Sequence, residues 1–248
     1  VSKKIVITGA GIGLGRALAR RFVADGHKVV LLGRTFSKLK TLADELGDAA
    51  LPVECDVAVP ESVRNAFAKI AETHPTIDVL INNAAVFVPF EITEATDDQI
   101  LQAVTINLGG TMLCTRSAVP MMEAGGQIIN LSSESVDMNF PMLSVYQSTK
   151  AGIERFSKSM DQELEPLGIR VSTVRAGQMF DEDKTFDLAP EVAMKFAQKA
   201  MAAGVNLRER PITHFRSVTD AFAALIDLPG DLHAGLMTLH AHRAPQKD

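Results

Sequence analysis

The run Thr8-Gly9-Ala10-Gly11-Ile12-Gly13-Leu14-Gly15 decides the architecture. Before it stands Lys4-Ile5-Val6-Ile7, a short apolar stretch of strand character. After it comes an amphipathic stretch, residues 13–25, with helical spacing. Glycines let a chain turn tightly from strand into helix and let its backbone approach a pyrophosphate, whose charge sits at the positive helix N-terminus. Alone, such a turn can be only a tight loop. Between a first strand and a first helix it predicts a dinucleotide site, with Gly9, Gly11, Ile12, Gly13 and Leu14 forming the phosphate cradle.

The same alternation continues along the chain. Strand-like runs fall at 4–8, 28–33, 50–55, 79–82, 127–132, 169–174 and 236–239, with helical patterns at 13–25, 37–46, 60–73, 97–122 and 145–165. Thr96-Asp97-Asp98-Gln99 reads as a capping box that opens the fourth helix. Short β-rich runs separated by helices predict an α/β fold: a doubly wound, seven-stranded parallel sheet with helices on both faces. Ligands of such sheets lie beyond the carboxyl ends of the strands. Residues 178–212 break the rhythm and are expected to form short helices, an insertion on the substrate side. No stretch reads as a linker, so residues 1–248 are expected to form one domain, with 243–248 a loose polar tail.

Composition narrows the function. The 248 residues carry a net charge of −5, which offers no general attraction for nucleic acid. Residues 1–40 nevertheless hold nine Lys and Arg against the single acid Asp25, a local excess suited to a small polyanion. Cys55 and Cys114 are too few for a disulfide framework and lack metal spacing. No apolar run approaches the roughly 18 residues needed to cross a bilayer, and no signal-peptide pattern precedes the first strand. A soluble protein of the cytoplasm, without metal or membrane partner, is the expectation.

The second strand ends Leu31-Leu32-Gly33-Arg34. An acid here would bind a ribose 2′-hydroxyl and disfavour a 2′-phosphate. Glycine followed by arginine instead offers a charge partner for that phosphate and predicts NADP(H) over NAD(H). Farther on, Tyr146 and Lys150 stand four apart in Tyr-Gln-Ser-Thr-Lys, with Ser133 thirteen residues upstream. A helix places phenol and ammonium on one face, where the cation is expected to lower the tyrosine pKa toward working pH. Tyr146, the chain's only tyrosine, then becomes a usable general acid or base. Ser132 competes with Ser133 for the neighbouring hydroxyl, and the thirteen-residue spacing favours Ser133.

With the Gly-rich turn, Asp56-Val57, Asn82-Asn83-Ala84, Asn107, Ser133 and Tyr146 with Lys150 in this order, the chain resembles the short-chain dehydrogenase/reductase family. The likeness is to the single-domain, Rossmann-type members and runs over nearly the whole length. It implies that Tyr146 is the acid/base, that Lys150 binds the nicotinamide ribose and depresses the tyrosine pKa, and that Ser133 orients the substrate carbonyl. Asn107 is implied to hold a water-linked proton relay and, as a poor mid-helix residue, suggests a functional bend. Asp56 should meet the adenine amino group and Asn82 should lie beneath the cofactor. Val57, Asn83, Ala84 and Gly177 complete the implied cofactor set. The chain departs from the family pattern at Ala85, where glycine is usual, at Ala176, where proline is usual, and at Asp181, where a threonine would touch the nicotinamide.

The expected activity is therefore NADP(H)-dependent interconversion of a secondary alcohol and a ketone. Met and Phe residues at 138, 140, 142, 179, 180, 186, 194, 196 and 201 flank the expected site and favour an apolar substrate. Two alternatives stand beside it. One is a non-catalytic NADP(H)-binding sensor or scaffold. The other is a 3-oxoacyl carrier-protein reductase using Arg208, Arg210 and Arg216. His240 and His242 form a His-x-His pair but suggest no third ligand, so they read as strand-edge histidines. Apolar Ile100, Val104, Leu113, Ile153 and Phe156 on the helices at 97–122 and 145–165 predict a homo-oligomer, a dimer or a tetramer.

Overall fold

The computed structural model describes residues 1–180 and 188–242. Asp181, Phe186 and the expected tail at 243–248 lie outside them. In chain order the elements are β1 (Lys4–Thr8), α1 (Gly13–Ala24), β2 (Lys28–Gly33), α2 (Phe36–Leu46), β3 (Ala50–Glu54), α3 (Pro60–Thr73) and β4 (Val79–Asn82). The second half runs α4 (Asp97–Ala103), α5 (Gly110–Ala118), β5 (Gln127–Ser133), α6 (Ser144–Leu164), β6 (Arg170–Ala176), β7 (Met179–Phe180), α7 (Pro190–Ala202), β8 (Thr213–His214), α8 (Phe215–Ile226) and β9 (Leu236–Leu239).

Seven strands form a parallel sheet in the order β3-β2-β1-β4-β5-β6-β9. β1 is apolar on both faces because it is central and covered on both. Ile5 and Ile7 join one core with Leu18 and Phe22 of α1, Leu39 and Leu42 of α2, and Phe222 of α8. Val6 belongs to the opposite core with Phe67 and Ile70 of α3 and Cys114 and Ala118 of α5. The alternation along one strand thus assigns helices to both faces. From β1 the chain winds outward to β3, then returns to β4 on the other side of β1. That reversal opens a crevice beyond the carboxyl ends of β1 and β4.

Three elements differ from the sequence reading. The single helix expected at 97–122 is interrupted: α4 passes into a π-helical turn, Val104–Gly109, before α5 begins, and Val119–Met121 closes as a 3₁₀ turn containing Pro120. At Gly110, the first residue of α5, a Cβ would lie 2.7 Å from Val57 Cγ2, so the helix approaches the chain after β3 as closely as glycine permits. Where short helices were expected at 178–212, the described residues of the segment hold the thirteen-residue helix α7, and β7 pairs in parallel with β8 just beyond it. The sequence reading also omitted α8, although Phe215, Val218, Thr219, Phe222, Ala223 and Ile226 repeat at helical spacing and are buried. The expected capping box is present: Gln99 N donates to Thr96 Oγ1 at 3.2 Å and Thr96 N to Gln99 Oε1 at 3.0 Å. Among the described residues no helix is long and apolar enough to cross a membrane.

Candidate active site

The crevice floor is the Gly-rich turn. Gly9 and Gly13 take φ of +68° and +54°, a region L side chains avoid. A Cβ on Gly15 would sit 2.3 Å from the Gly9 carbonyl oxygen, so α1 can begin against the turn only with glycine there. Ile12, the N-cap of α1, provides no side-chain acceptor, which leaves the first helical N–H groups directed at the crevice. This is a cradle fitted to a pyrophosphate. Asn83 braces it: Nδ2 donates to the carbonyls of Thr8 at 2.9 Å and Gly9 at 3.3 Å, while Thr8 Oγ1 accepts from Asn83 N and Ala84 N, each at 3.0 Å.

The other expected cofactor residues divide by burial. Leu14 and Val57 are buried, so their side chains belong to the cores and only their backbones face the crevice side. Asp56 is held in place as its Oδ1 accepts from Ala58 N at 2.9 Å and its N–H donates to Ser62 Oγ at 2.9 Å. Arg34, just after β2, is exposed and makes no ion pair among the described residues. Asn82 is buried and joins strands instead of lining the crevice: Nδ2 donates to Asn130 Oδ1 at 2.8 Å and Thr115 Oγ1 at 3.1 Å. A Cβ on Gly177 would press on Leu239 O at 2.7 Å, so this glycine allows the loop after β6 to cross β9.

At the end of β5 the sheet presents two serines to opposite sides. Ser132 is buried and its Oγ donates to Glu154 Oε1 at 2.6 Å, whereas Ser133 caps the turn Glu134–Asp137 and faces the Tyr146 phenol, whose pKa it lowers. One helical turn beyond Tyr146, Lys150 is 4% exposed; its Nζ donates to Leu131 O at 2.8 Å and lies 5.8 Å from the Tyr146 ring centre. Asn107 falls within the π-helical turn, an element frequent at functional sites. It is fully buried: Oδ1 accepts from Val86 N at 2.8 Å, and Nδ2 donates to Val86 O at 3.1 Å and Thr149 Oγ1 at 3.2 Å. Thr149 Oγ1 donates in turn to Tyr146 O at 2.7 Å, so Asn107 is linked to the helix of Tyr146 and Lys150. The fold therefore brings Asn107, Ser133, Tyr146 and Lys150 together.

The expected electrostatics require a correction. Burial pushes the Tyr146 hydroxyl up to about 12, against the Ser133 hydrogen bond that pulls it down. Burial also pushes the Lys150 ammonium down to about 8, so the lysine's influence is offset by its own desolvation. A pH signature follows. Between about 8 and its ordinary value of 10.5, Lys150 is more protonated in the unfolded chain than in the folded one, so its contribution to stability rises with pH. Around their ordinary value of 9.0 the buried thiols of Cys55 and Cys114, whose pKa values burial raises, act in the opposite direction. The stability gained between pH 8 and 9, read by urea unfolding, should therefore be greater in the wild type than in Lys150→Met by about 1 kcal/mol, the thiols contributing equally to both. Equal gains in the two proteins would refute the assignment.

The substrate side is apolar near the phenol. Phe87 meets the Tyr146 ring edge-on at 5.1 Å and Phe196 at 6.1 Å, and Phe140 lies 6.0 Å from Phe196. Met142 and Leu143 complete this cluster. Met142 has φ of 65°, a strained backbone for a side chain of its size, and its carbonyl accepts from Phe90 N at 2.9 Å. The sequence reading missed Phe87, whose signal was only its place four residues after Asn83. Of the Met and Phe residues expected here, Met179 packs on the main core, while Phe180, Met194 and Met201 are exposed. α7 is fastened over the region by Lys195 to Glu94 at 2.6 Å and Lys199 to Glu91 at 2.5 Å. A separate cleft of about 360 Å³ is walled by Glu134, Met138, Arg210 and His240. His240 Nδ1 lies 3.1 Å from Glu134 Oε2, and no group of three or more His, Cys, Asp or Glu among the described residues could hold a metal.

Comparison with known proteins agrees with this geometry. A profile of the family described as short chain dehydrogenase matches residues 3–183. The chain is 32% identical to carbonyl reductase family member 4 of Danio rerio over 197 residues, 79% of this chain and 83% of that protein. It is 33% identical to the NADP-dependent 3-hydroxy acid dehydrogenase YdfG of Salmonella typhi over 176 residues, 70% of this chain and 71% of that protein. The structure of a short-chain dehydrogenase of Streptomyces avermitilis superposes with a TM-score of 0.84 at 24% identity, covering 97% of this chain and 89% of that one.

Proposed function

The chain belongs to the short-chain dehydrogenase family and is an NAD(P)-dependent oxidoreductase, and from that premise we propose that it reduces an apolar ketone to a secondary alcohol with NADPH. The observation that carries this reading is the convergence of Ser133, Tyr146 and buried Lys150, with Lys150 one helical turn from Tyr146 and its Nζ 5.8 Å from the Tyr146 ring centre. When bound, the nicotinamide supplies the hydride. Ser133 holds the substrate carbonyl oxygen by hydrogen bond, and Tyr146 donates its proton to that oxygen. A phenol raised to about 12 stays protonated at neutral pH, which suits it to the donor's part. Lys150, within reach of the ring, stabilises the phenolate left behind. Asn107 keeps the helix backbone of Tyr146 in register through Thr149. Phe87, Phe140 and Phe196 exclude water and receive the apolar part of the substrate.

Arg34 supports the choice of NADPH, as an exposed guanidinium where a 2′-phosphate would lie. We place the enzyme in the cytoplasm as a single domain with a small-molecule substrate and no nucleic-acid partner. The test of function is a screen of ketones and alcohols with both nicotinamides: turnover with NADPH and an aromatic ketone supports the reading, and cofactor binding without turnover of any of them contradicts it.

The reading extends to assembly. Ile153 is buried within the subunit, but Leu101, Val104 and Met112 on the α4–α5 side remain 61%, 42% and 39% exposed. Exposed apolar side chains gathered on one helical surface favour self-association. A dimer or dihedral tetramer is expected at micromolar concentration by sedimentation, and a single species at the 26.7 kDa chain mass would overturn it.

A further inference from the structure

β5 and β6 pair so that Ser132 lies opposite Arg175 and Ser133 opposite Ala176. Arg175 grips Glu154 with Nε and Nη2, each at 2.7 Å, and its Nη1 reaches Asp137. The same Glu154 carboxylate accepts from Ser132 Oγ at 2.6 Å. The Arg175 and Glu154 side chains keep only 17% and 18% of their exposure. Their attachments are specific to the site: Glu154 is one turn after Lys150 on α6, and Asp137 ends the turn that Ser133 caps. One guanidinium therefore ties the helix of Tyr146 and Lys150 to the turn of Ser133. Burial opposes the Glu154 charge most strongly, yet hydrogen bonds from Arg175 and Ser132 hold its carboxyl below the ordinary range.

A buried ion pair is a poor source of net stability, because desolvation offsets its attraction. What a bidentate fork provides is fixed geometry. We propose that Arg175 and Glu154 are positioning residues that set the spacing between Ser133 and Tyr146. The proposal rests on the reading of those two as the reacting pair, and its test separates the two ideas.

Tyr146 is the only tyrosine and the chain has no tryptophan, so the near-ultraviolet tyrosine circular dichroism reports on that ring alone. Glu154→Gln preserves shape and removes charge; Arg175→Met removes the fork. Each should shrink the Tyr146 band while the far-ultraviolet spectrum stays native. Each should also lower kcat with an aromatic ketone about 10-fold and leave NADPH affinity within about two-fold. Arg175→Lys, a point charge without the fork, should fall between wild type and Arg175→Met. The double variant should be no worse than the worse single variant, because both changes break one unit. An unchanged Tyr146 band together with wild-type kcat in Glu154→Gln overturns the proposal, and this isosteric variant decides alone if Arg175→Met does not fold. Should no ketone turn over even in the wild type, the function reading fails, while the Tyr146 band still decides whether the pair positions the ring.

Discussion

Replacing Tyr146 with phenylalanine should lower kcat by at least about 10²-fold, with NADPH affinity nearly unchanged. On the proposed mechanism the substitution removes the proton given to the carbonyl oxygen and little else. The ring packs edge-on against Phe87 and within the cluster of Met142, Leu143 and Phe196, contacts that phenylalanine keeps. Ser133 still caps its turn through Ser135 N at 3.2 Å, so the lost hydroxyl leaves no orphaned partner with a large penalty. Steady-state rates with an active ketone, together with a cofactor titration, read both expectations. A variant that retains the wild-type rate would show that the transferred proton comes from elsewhere.

The second large effect concerns cofactor choice. Gly33→Asp with Arg34→Ala places a carboxylate beside the proposed 2′-phosphate and removes its charge partner. The ratio of kcat/KM for NADPH over NADH should move toward NADH by about 2–3 kcal/mol. The site tolerates the change: Gly33 has no left-handed φ, and a Cβ there would meet Leu39 Cδ2 at 3.2 Å, a flexible side-chain end. Arg34, without an ion pair among the described residues, leaves no abandoned acid behind. A wild-type enzyme that already prefers NADH would refute the role of Arg34.

The difference between what was legible in the sequence and what was not has physical reasons. Central parallel strands are buried on both faces, so Ile5-Val6-Ile7 and Val79-Leu80-Ile81 announce themselves as continuous apolar runs, and the glycines between β1 and α1 mark the crevice. Tyr146, Lys150 and Ser133 were legible because helix period and strand end determine which way they face. The π-helical turn at Asn107 is foreshadowed only as a bend, because Asn107 is held there by Val86 and Thr149, partners far from it in sequence. Phe87 lies in an irregular segment with no periodicity to read. The Tyr146 pKa was read in the wrong direction because sequence spacing shows a neighbouring cation but not the burial that weakens it. The strut of Arg175 and Glu154 joins two elements by tertiary contact, and no local pattern betrays it. The amphipathic spacing of α8, by contrast, is strong and can be read from the sequence alone.

In the proposed reaction the site passes a hydride to a carbonyl carbon while Tyr146 protonates its oxygen. The most direct test uses NADPH deuterated at the nicotinamide carbon that donates hydride, with an aromatic ketone and the wild-type enzyme. The alcohol should carry one deuterium at the carbinol carbon and form at a rate that Tyr146→Phe abolishes almost completely. Alcohol without deuterium at that carbon, or equal labelling rates in the two proteins, would contradict the proposed reaction.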